Sequence, residues 1–311
     1  MLHGLYLKPQ NMKKLLFLFF LLNTVFPVNA QDDLSSILDT IPPRAEVEAT
    51  FKSSRIINLQ SNETVHRHTL DFRVAHRFGA VGKQSGGTRH NLYGLDNSSD
   101  IRIAFEFGIT GDLTVGISRT KYNEDYEALT KYRLLKQTND NHIPVAITLF
   151  GSMVYSDKVN PDLNYDNVST SKQNIRRLGY TLQAIIARKF SPRLSLELAP
   201  TLVHRNFITD IQDENSLFAL GVAGRIKLTR SMAVIADYIY NFNDLRKINN
   251  DNGYYNALGV GVEFETGGHV FSIMFTNAEA TLEQEFIAET KSSWSDGGFR
   301  FSFNISRNFK L

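Results

Sequence analysis

The chain has 311 residues, of which 42% are hydrophobic, 11% aromatic and 21% charged, and its mean hydropathy is −0.22. These values exclude a helical membrane protein, which needs apolar stretches of about 20 residues, and the 22 Phe and 12 Tyr exclude an intrinsically disordered chain. The formal net charge of +2 argues against a nucleic-acid partner, and because cysteine is absent the chain has neither a disulfide nor a thiolate metal ligand.

The first 30 residues have the organisation of a signal peptide. Two lysines form a basic start, an apolar stretch of about a dozen residues follows, and the run Val-Asn-Ala ends at Ala30. We therefore expect residues 1–30 to be a leader, with Met12 as an alternative start of translation. Cleavage is expected between Ala30 and Gln31, and it leaves an exported chain.

Residues 31–65 lie between the leader and the first long alternating segment. We interpret them as an N-terminal extension that stays in the periplasm or enters the barrel predicted below. Within it, residues 45–59 are apolar enough to form a further strand. The basic residues Lys52 and Arg55 suggest a second role for this extension, in which it closes a lumen against Glu106 and Glu263.

From residue 66 onward, polar and apolar residues alternate with a period of two over long segments, which indicates strands with two different faces. The segments are long enough to span a membrane, whereas strands of soluble proteins peak at about 5–6 residues. Tight turns alternate with longer polar connections, as in outer-membrane barrels. The twelve segments are 66–79, 100–109, 112–122, 126–137, 142–155, 175–190, 193–206, 215–228, 231–243, 254–266, 268–277 and 297–310.

The predicted fold is therefore all-β: a transmembrane antiparallel up-and-down β-barrel of about 12 strands over residues 66–311, in the cell outer membrane. A barrel of 14 strands that includes residues 45–59 is the alternative. Both ends of the barrel are expected in the periplasm. The loops near Gly86, Asp162, Asn250 and Glu285 are expected at the cell surface.

Three residues depart from the alternation. Pro200 lies in the middle of a strand and lacks the N–H that a ladder hydrogen bond needs, so we expect a β-bulge there. His76 and Arg188 fall on otherwise apolar faces, so we expect them near a membrane interface.

Charged residues recur on the face that would point into the lumen, with six positive and five negative side chains in the alternating positions. Lys131 and Arg133 join them if their strand keeps its register. This pattern predicts either a narrow pore that mildly prefers anions or a set of paired charges that makes the barrel rigid. The candidate lumen residues are Asp71, Arg73, Arg77, Arg102, Glu106, Glu197, Arg225, Lys227, Glu263, Glu265 and Arg300.

Several stretches are similar to a known family. They are the run from Leu92 to Arg119, TFKSSR at 50–55, AHRFG at 75–79 and FNISR at 303–307. Together they resemble an uncharacterised family of Bacteroidetes outer-membrane β-barrel proteins, a domain of unknown function. The resemblance implies the fold and the location. The lipid bilayer and the barrel-assembly machinery are the expected partners. It implies no activity or substrate.

Catalytic and metal motifs are weak in this sequence. A lipid hydrolase on a barrel's outer face places a Ser two residues after a His, but the residue two after His76 is Phe78, and the loop acids lack calcium-loop spacing. We expect no enzyme activity and no cofactor or metal. The predicted function is a narrow pore or transporter for small solutes. A structural or adhesive barrel with surface loops is the alternative, and an outer-membrane lipid hydrolase a more distant one.

Overall fold

A computed structural model describes residues 45–158, 170–208, 212–246 and 253–311. The predicted cleavage site Ala30–Gln31 and the loop residues Asp162 and Asn250 lie outside these ranges. The α-helices among the described residues are α1 (Thr170–Arg176) and α2 (Glu283–Glu289), and short 3-10 helices lie at Lys83–Ser85, Arg89–Gly94 and Asp244–Arg246. The strands are β1 (Thr69–Ala80), β2 (Ser98–Gly108), β3 (Leu113–Thr120), β4 (Asp125–Leu135), β5 (Ala146–Ser156), β6 (Leu178–Lys189), β7 (Leu194–Arg205), β8 (Ser216–Lys227), β9 (Met232–Asn241), β10 (Leu258–Thr266), β11 (His269–Thr276) and β12 (Arg300–Lys310).

The twelve strands found in these ranges form one closed antiparallel barrel in which each strand pairs with its neighbours in sequence. The barrel closes where β1 meets β12, with Leu70 opposite Phe309 and Arg77 opposite Ser302. The predicted fold is confirmed. The 14-strand alternative is wrong, because residues 45–59 contribute only isolated bridges such as Glu46 with Thr138. Across the described helices, none combines the length and the apolar character needed to cross a membrane.

The two faces of the strands are those of a membrane barrel. Outward residues are apolar and exposed, with Ile117 at 64% and Leu182 at 60% exposure, whereas the inward Arg73 and Arg102 are each 1% exposed. A soluble protein would expose its charges and bury its aliphatic side chains. Here lipid covers the apolar outer face, and the interior is polar.

Connections alternate between the two ends of the barrel. One end carries the tight turns and both barrel termini, and the other carries the long connections, including 81–97 and 277–299. The turn between β10 and β11 contains only Gly267 and Gly268, both with positive φ (49° and 91°), which a tight hairpin turn requires. We call these ends the turn end and the loop end.

Pro200 is accommodated without a bulge, so that expectation was wrong. Gln183 lies opposite Thr201 and Ile186 opposite Leu198, which is the same register on both sides of the proline. Only the pairing between these positions is interrupted, because a missing N–H removes a hydrogen bond without inserting a residue.

The two polar residues singled out on the outer face, His76 and Arg188, lie against aromatic rings. The His76 ring is 4.2 Å from Phe78 and 5.4 Å from Phe303 between centroids. The Arg188 guanidinium is 5.0 Å from the ring centroid of Phe190. Stacking on rings gives these side chains favourable partners on an otherwise apolar face.

Candidate functional site

Two segments occupy the inside of the barrel. Residues 50–65, which we call the plug segment, precede β1, and residues 277–299, which we call the inner loop, connect β11 to β12. Most residues of the plug segment are buried, and so are the first six residues of α2 in the inner loop, Glu283 to Ala288. The inner loop was expected at the surface near Glu285, but Glu285 is only 9% exposed. That expectation was wrong, because this loop folds inward.

An apolar cluster fixes both segments on one side of the interior. It joins Ile57 and Leu59 of the plug segment to Phe286 of α2 and to wall residues such as Val203 and Ile239. Glycines on the wall make room for it: a Cβ at Gly259 would lie 2.5 Å from Cγ2 of Ile57, and one at Gly221 would lie 2.6 Å from Cδ1 of Leu59. The wall is therefore shaped to receive the plug segment.

Polar wall residues hold the backbone of the plug segment. The Asp237 carboxylate accepts hydrogen bonds from the backbone N–H of Asn58 (2.5 Å) and Leu59 (2.9 Å) and from Nδ2 of Asn58 (2.8 Å). Thr148 donates its hydroxyl to the carbonyl of Asn62 at 2.8 Å. Thr114 accepts a hydrogen bond from the backbone of Val65 at 2.8 Å. These contacts satisfy backbone groups that have no strand partner.

The inner loop is held from the opposite end in the same way. Arg77 donates to the carbonyl oxygens of Ala278 and Ala280. Asp100 accepts from the backbone N–H of Thr281 at 2.9 Å and from its hydroxyl at 2.7 Å. Arg300 donates to the carbonyl of Asn277 at 3.0 Å.

The plug segment and the inner loop meet inside the barrel. Arg55 and Glu283 form an ion pair in which 3% and 1% of the two side chains are exposed. Gln60 donates to the same Glu283 carboxylate at 3.0 Å, and Arg77 donates to Oδ1 of Asn58 at 2.8 Å. Burial lowers the pKa of Arg55, and the charge of Glu283 opposes this shift. The pair therefore keeps a buried guanidinium charged.

The predicted lumen charges are distributed as follows. Nine of the eleven are 9% exposed or less, and Lys227 and Glu265 are partly exposed at the turn end. Several form pairs, with Arg73 to Asp71 at 2.7 Å and Arg225 to Glu263 at 2.9 Å. The buried nine are Asp71, Arg73, Arg77, Arg102, Glu106, Glu197, Arg225, Glu263 and Arg300.

Three further charged residues point into the lumen. Two of them, Lys131 and Arg133, were expected there if their strand kept its register, and Glu127 was not predicted. Lys131 is fully buried and donates to the carbonyls of Ser54 and Ser61, and Arg133 pairs with Glu63 at 3.2 Å. Glu127, which pairs with Arg102 at 2.7 Å, was missed although the alternation of β4 places it inward.

The expected pairing of the N-terminal basic residues with Glu106 and Glu263 was wrong. Lys52 pairs with Glu265 at 3.0 Å, and Arg55 with Glu283. Glu106 instead accepts from the hydroxyl of Ser54 at 2.8 Å. Arg55 does not need Glu106, because the inner loop brings the carboxylate of Glu283 to it.

At the loop end, Asp213 ties two connections together. Its carboxylate pairs with Arg205 at 2.8 Å and with Arg246 at 2.5 Å. Burial opposes its ionisation, but hydrogen bonds from Arg246 and Arg205 lower the pKa of Asp213 to about 2. Nearby, burial raises the pKa of Glu285, although Asn123 donates to it at 2.7 Å.

A cavity of about 390 Å³ lies at the turn end, beneath the plug segment. Its wall includes Lys189, Ser195, Arg225 and Lys227 from β6, β7 and β8, together with Lys52 of the plug segment.

One pair of side chains on the outer face resembles part of a hydrolase active site. Nδ1 of His204 lies 2.8 Å from Oγ of Ser216, across the ladder between β7 and β8. Within the described ranges, no carboxylate or amide bonds the second ring nitrogen of His204, as a triad would require. Among those same residues, no group of three or more His, Asp or Glu is placed to hold a metal ion.

Several solved structures are similar to this chain. The NanC porin matches with a TM-score of 0.47 at 10% identity, over 78% of this chain and 100% of that chain. The KdgM porin matches with a TM-score of 0.46 at 8% identity, over 78% and 99%. The outer membrane protein Omp33 of Acinetobacter baumannii matches with a TM-score of 0.41 at 9% identity, over 78% and 98%. Among curated proteins, none matches the chain.

A family model described as "Membrane bound beta barrel domain (DUF5777)" matches residues 51–309. The match begins in the plug segment and reaches β12, so it covers the lumen contents as well as the wall. A membrane-bound closed barrel with an apolar outer face is of the outer-membrane type, which confirms the expected fold and location. The resemblance seen in the sequence is confirmed as well, while the Bacteroidetes origin stays a prediction. The chain belongs to this family of membrane-bound β-barrel domains.

Proposed function

We propose that the protein is a gated outer-membrane pore for small solutes, closed here by the plug segment and the inner loop. The observation that carries the proposal is that the plug segment is not a strand of the barrel: it is held by side-chain contacts such as those of Asp237. It can therefore leave without breaking a ladder hydrogen bond. Wall charges that it covers would then face water.

The dimensions of the barrel suit this role. Twelve strands spaced about 4.8 Å apart and tilted about 40° give a backbone radius of roughly 12 Å. Side chains alone narrow such a barrel without sealing it, so two inserted segments are needed to close it. The charged wall would favour hydrated, polar solutes over apolar ones.

The proposal also covers two other points: how the chain is processed and which partners it has. Residues 1–30 would be removed between Ala30 and Gln31, leaving residues 31–65 as a periplasmic extension whose end is the plug segment. The lumen charges of the wall would line the pore. The lipid bilayer and the barrel-assembly machinery would be its partners, and it would carry out no reaction.

Planar-bilayer recording tests the proposal. The full mature chain should be mostly silent, and deletion of residues 50–64 should produce discrete conductance steps. Deletion of residues 89–90, which are exposed at the loop end and lie outside both inserted segments, is the control and should leave the protein silent. A plug deletion that keeps the heat-modifiable gel mobility of a folded barrel yet never conducts would refute the pore.

The second candidate is a non-conducting structural barrel, and the filled interior favours it. In that case the plug segment would serve as a permanent core, in the way that Ile57 and Leu59 already pack against the wall. The same recording separates the two functions.

A further inference from the structure

The cavity at the turn end carries an excess of positive charge. Six basic and four acidic side chains line it, which leaves a formal excess of two positive charges. Three of the acids each neutralise one of these bases: Asp71 with Arg73, Glu63 with Arg133, and Glu265 with Lys52. The fourth, Glu48, lies exposed at the edge.

The remaining bases lie side by side on the wall. Lys189 is opposite Ser195 in the ladder, and Ser195 is opposite Arg225, so the three form a row across β6, β7 and β8. Lys227 follows two residues after Arg225 on the same face. Strands are about 4.8 Å apart, so the row spans about 10 Å between its outer Cα atoms, within reach of one small ligand.

Among the described residues, neither Lys189 nor Lys227 has a carboxylate partner. The Lys189 ammonium donates only to the carbonyl of Ala49, at 3.0 Å. The Lys227 side chain makes no hydrogen bond or ion pair with any described residue, whereas its backbone N–H donates to the carbonyl of Arg193 at 2.8 Å. Arg225 uses Nε for Glu263, at 2.9 Å, and its two terminal nitrogens are not engaged by that bond.

We infer that this row is a binding site for a small, doubly charged oxyanion. Two uncompensated lysines match two negative charges, and the Ser195 hydroxyl and the Arg225 guanidinium supply hydrogen-bond donors that suit oxygen acceptors. A cavity of about 390 Å³ has room for sulfate or phosphate and also for a short dicarboxylate. Lys52 of the plug segment lines the same cavity, so the bound anion would lie between the plug segment and the wall.

The inference deepens the proposed pore function by naming its solute class, but binding is measured apart from conduction. Isothermal titration of the full mature chain in detergent, at constant ionic strength in sodium chloride, uses sulfate, succinate and acetate as probes. Saturable binding of one sulfate or one succinate per chain is expected, with no saturation by singly charged acetate. Sulfate binding without succinate binding would restrict the class to inorganic oxyanions, and the reverse would restrict it to dicarboxylates.

Variants locate the site. Lys189→Ala with Lys227→Ala should weaken binding at least about tenfold, because two charge-assisted contacts are lost. Lys227→Gln alone should weaken it as well, and it removes no side-chain hydrogen bond or ion pair with a described residue. Lys83→Ala, at an exposed lysine of the loop end, is the control and should bind as the unmodified chain does.

Two results would overturn the site: no saturable binding by either dianion, or unchanged affinity in both lysine variants. The two proposals fail separately. A protein that binds sulfate and stays silent in bilayers after plug deletion keeps the site and loses the pore. A conducting protein without saturable binding keeps the pore and loses the site.

Discussion

Arg55 and Glu283 are 228 residues apart in the chain and form one buried ion pair. Arg55 enters the barrel from the turn end, and Glu283 enters from the loop end. The pair therefore joins the segment that enters from one end of the lumen to the segment that enters from the other.

Breaking this ion pair from one side should destabilise the closed interior. We expect Glu283→Gln or Arg55→Met each to lower the free energy of unfolding by about 3 kcal/mol, because each leaves an uncompensated buried group. The double variant should lose clearly less than the sum of the two. Urea unfolding in lipid vesicles, followed by fluorescence of Trp294 in the inner loop, measures this. Strict additivity would show that the residues do not interact.

A larger side chain at Gly259 should displace the plug segment while leaving the ring of strands intact. Its Cβ would lie 2.5 Å from Cγ2 of Ile57 and 3.0 Å from Nδ2 of Asn58, so Gly259→Val requires the plug segment to shift. We expect frequent opening in planar bilayers and an unchanged heat-modifiable mobility. In a chain that already lacks residues 50–64 the substitution should have no effect. An equal effect in both backgrounds would mean that it disturbs the wall instead.

Acid should destabilise the connections at the loop end, because it protonates Asp213 and weakens its ion pairs with Arg205 and Arg246. The pKa of Asp213 is lowered from 3.8 to about 2 in the folded protein, so its contribution is complete above pH 4 and is lost as the pH falls toward 2. Asp213→Asn should be destabilised at pH 7 by an amount that shrinks across this window. Thermal unfolding of the unmodified protein and of the variant at pH 7, 4 and 2.5 measures this difference in stability. A difference that grows in acid would contradict it.

Glu285→Gln should have the opposite pH dependence. Burial raises the pKa of Glu285, so the folded protein holds this proton more tightly than the unfolded chain, and stability falls as the pH rises above 4.5. The amide cannot ionise, so the variant should be more stable than the unmodified protein at pH 8 and gain little at pH 4. Melting temperatures of the variant and the unmodified protein at pH 8 and pH 4 test this prediction. Glu124→Gln, at an exposed position of a neighbouring connection, is the control and should show no such gain.

The wall of the barrel could be predicted from the sequence, because the inside and outside of a strand differ in polarity at every second residue. The period-two pattern around Arg73 and Arg102 therefore places both inward, where they are each 1% exposed. The strand ends differ by a few residues from the prediction, since aromatic and polar residues occur on both sides of a membrane interface.

The contents of the lumen could not be predicted in the same way. The stretch around Glu283 and Glu285 is polar, and polarity ordinarily indicates contact with water. Inside this barrel other segments of the chain take the place of water: Arg55 of the plug segment and Asn123 of the connection between β3 and β4 bind Glu283 and Glu285 where solvent would otherwise do so. Neither partner is near them in sequence, and no local pattern links them.

The seam between β1 and β12 lies next in sequence to both segments that fill the lumen. The plug segment directly precedes β1, and the inner loop directly precedes β12. If the seam closed first, both segments would have to be threaded into a finished ring, one from each side of the membrane. A sheet whose edge is still open can instead curl around them. Pairing of β1 with β12 would then enclose both segments in the same step that turns the sheet into a ring.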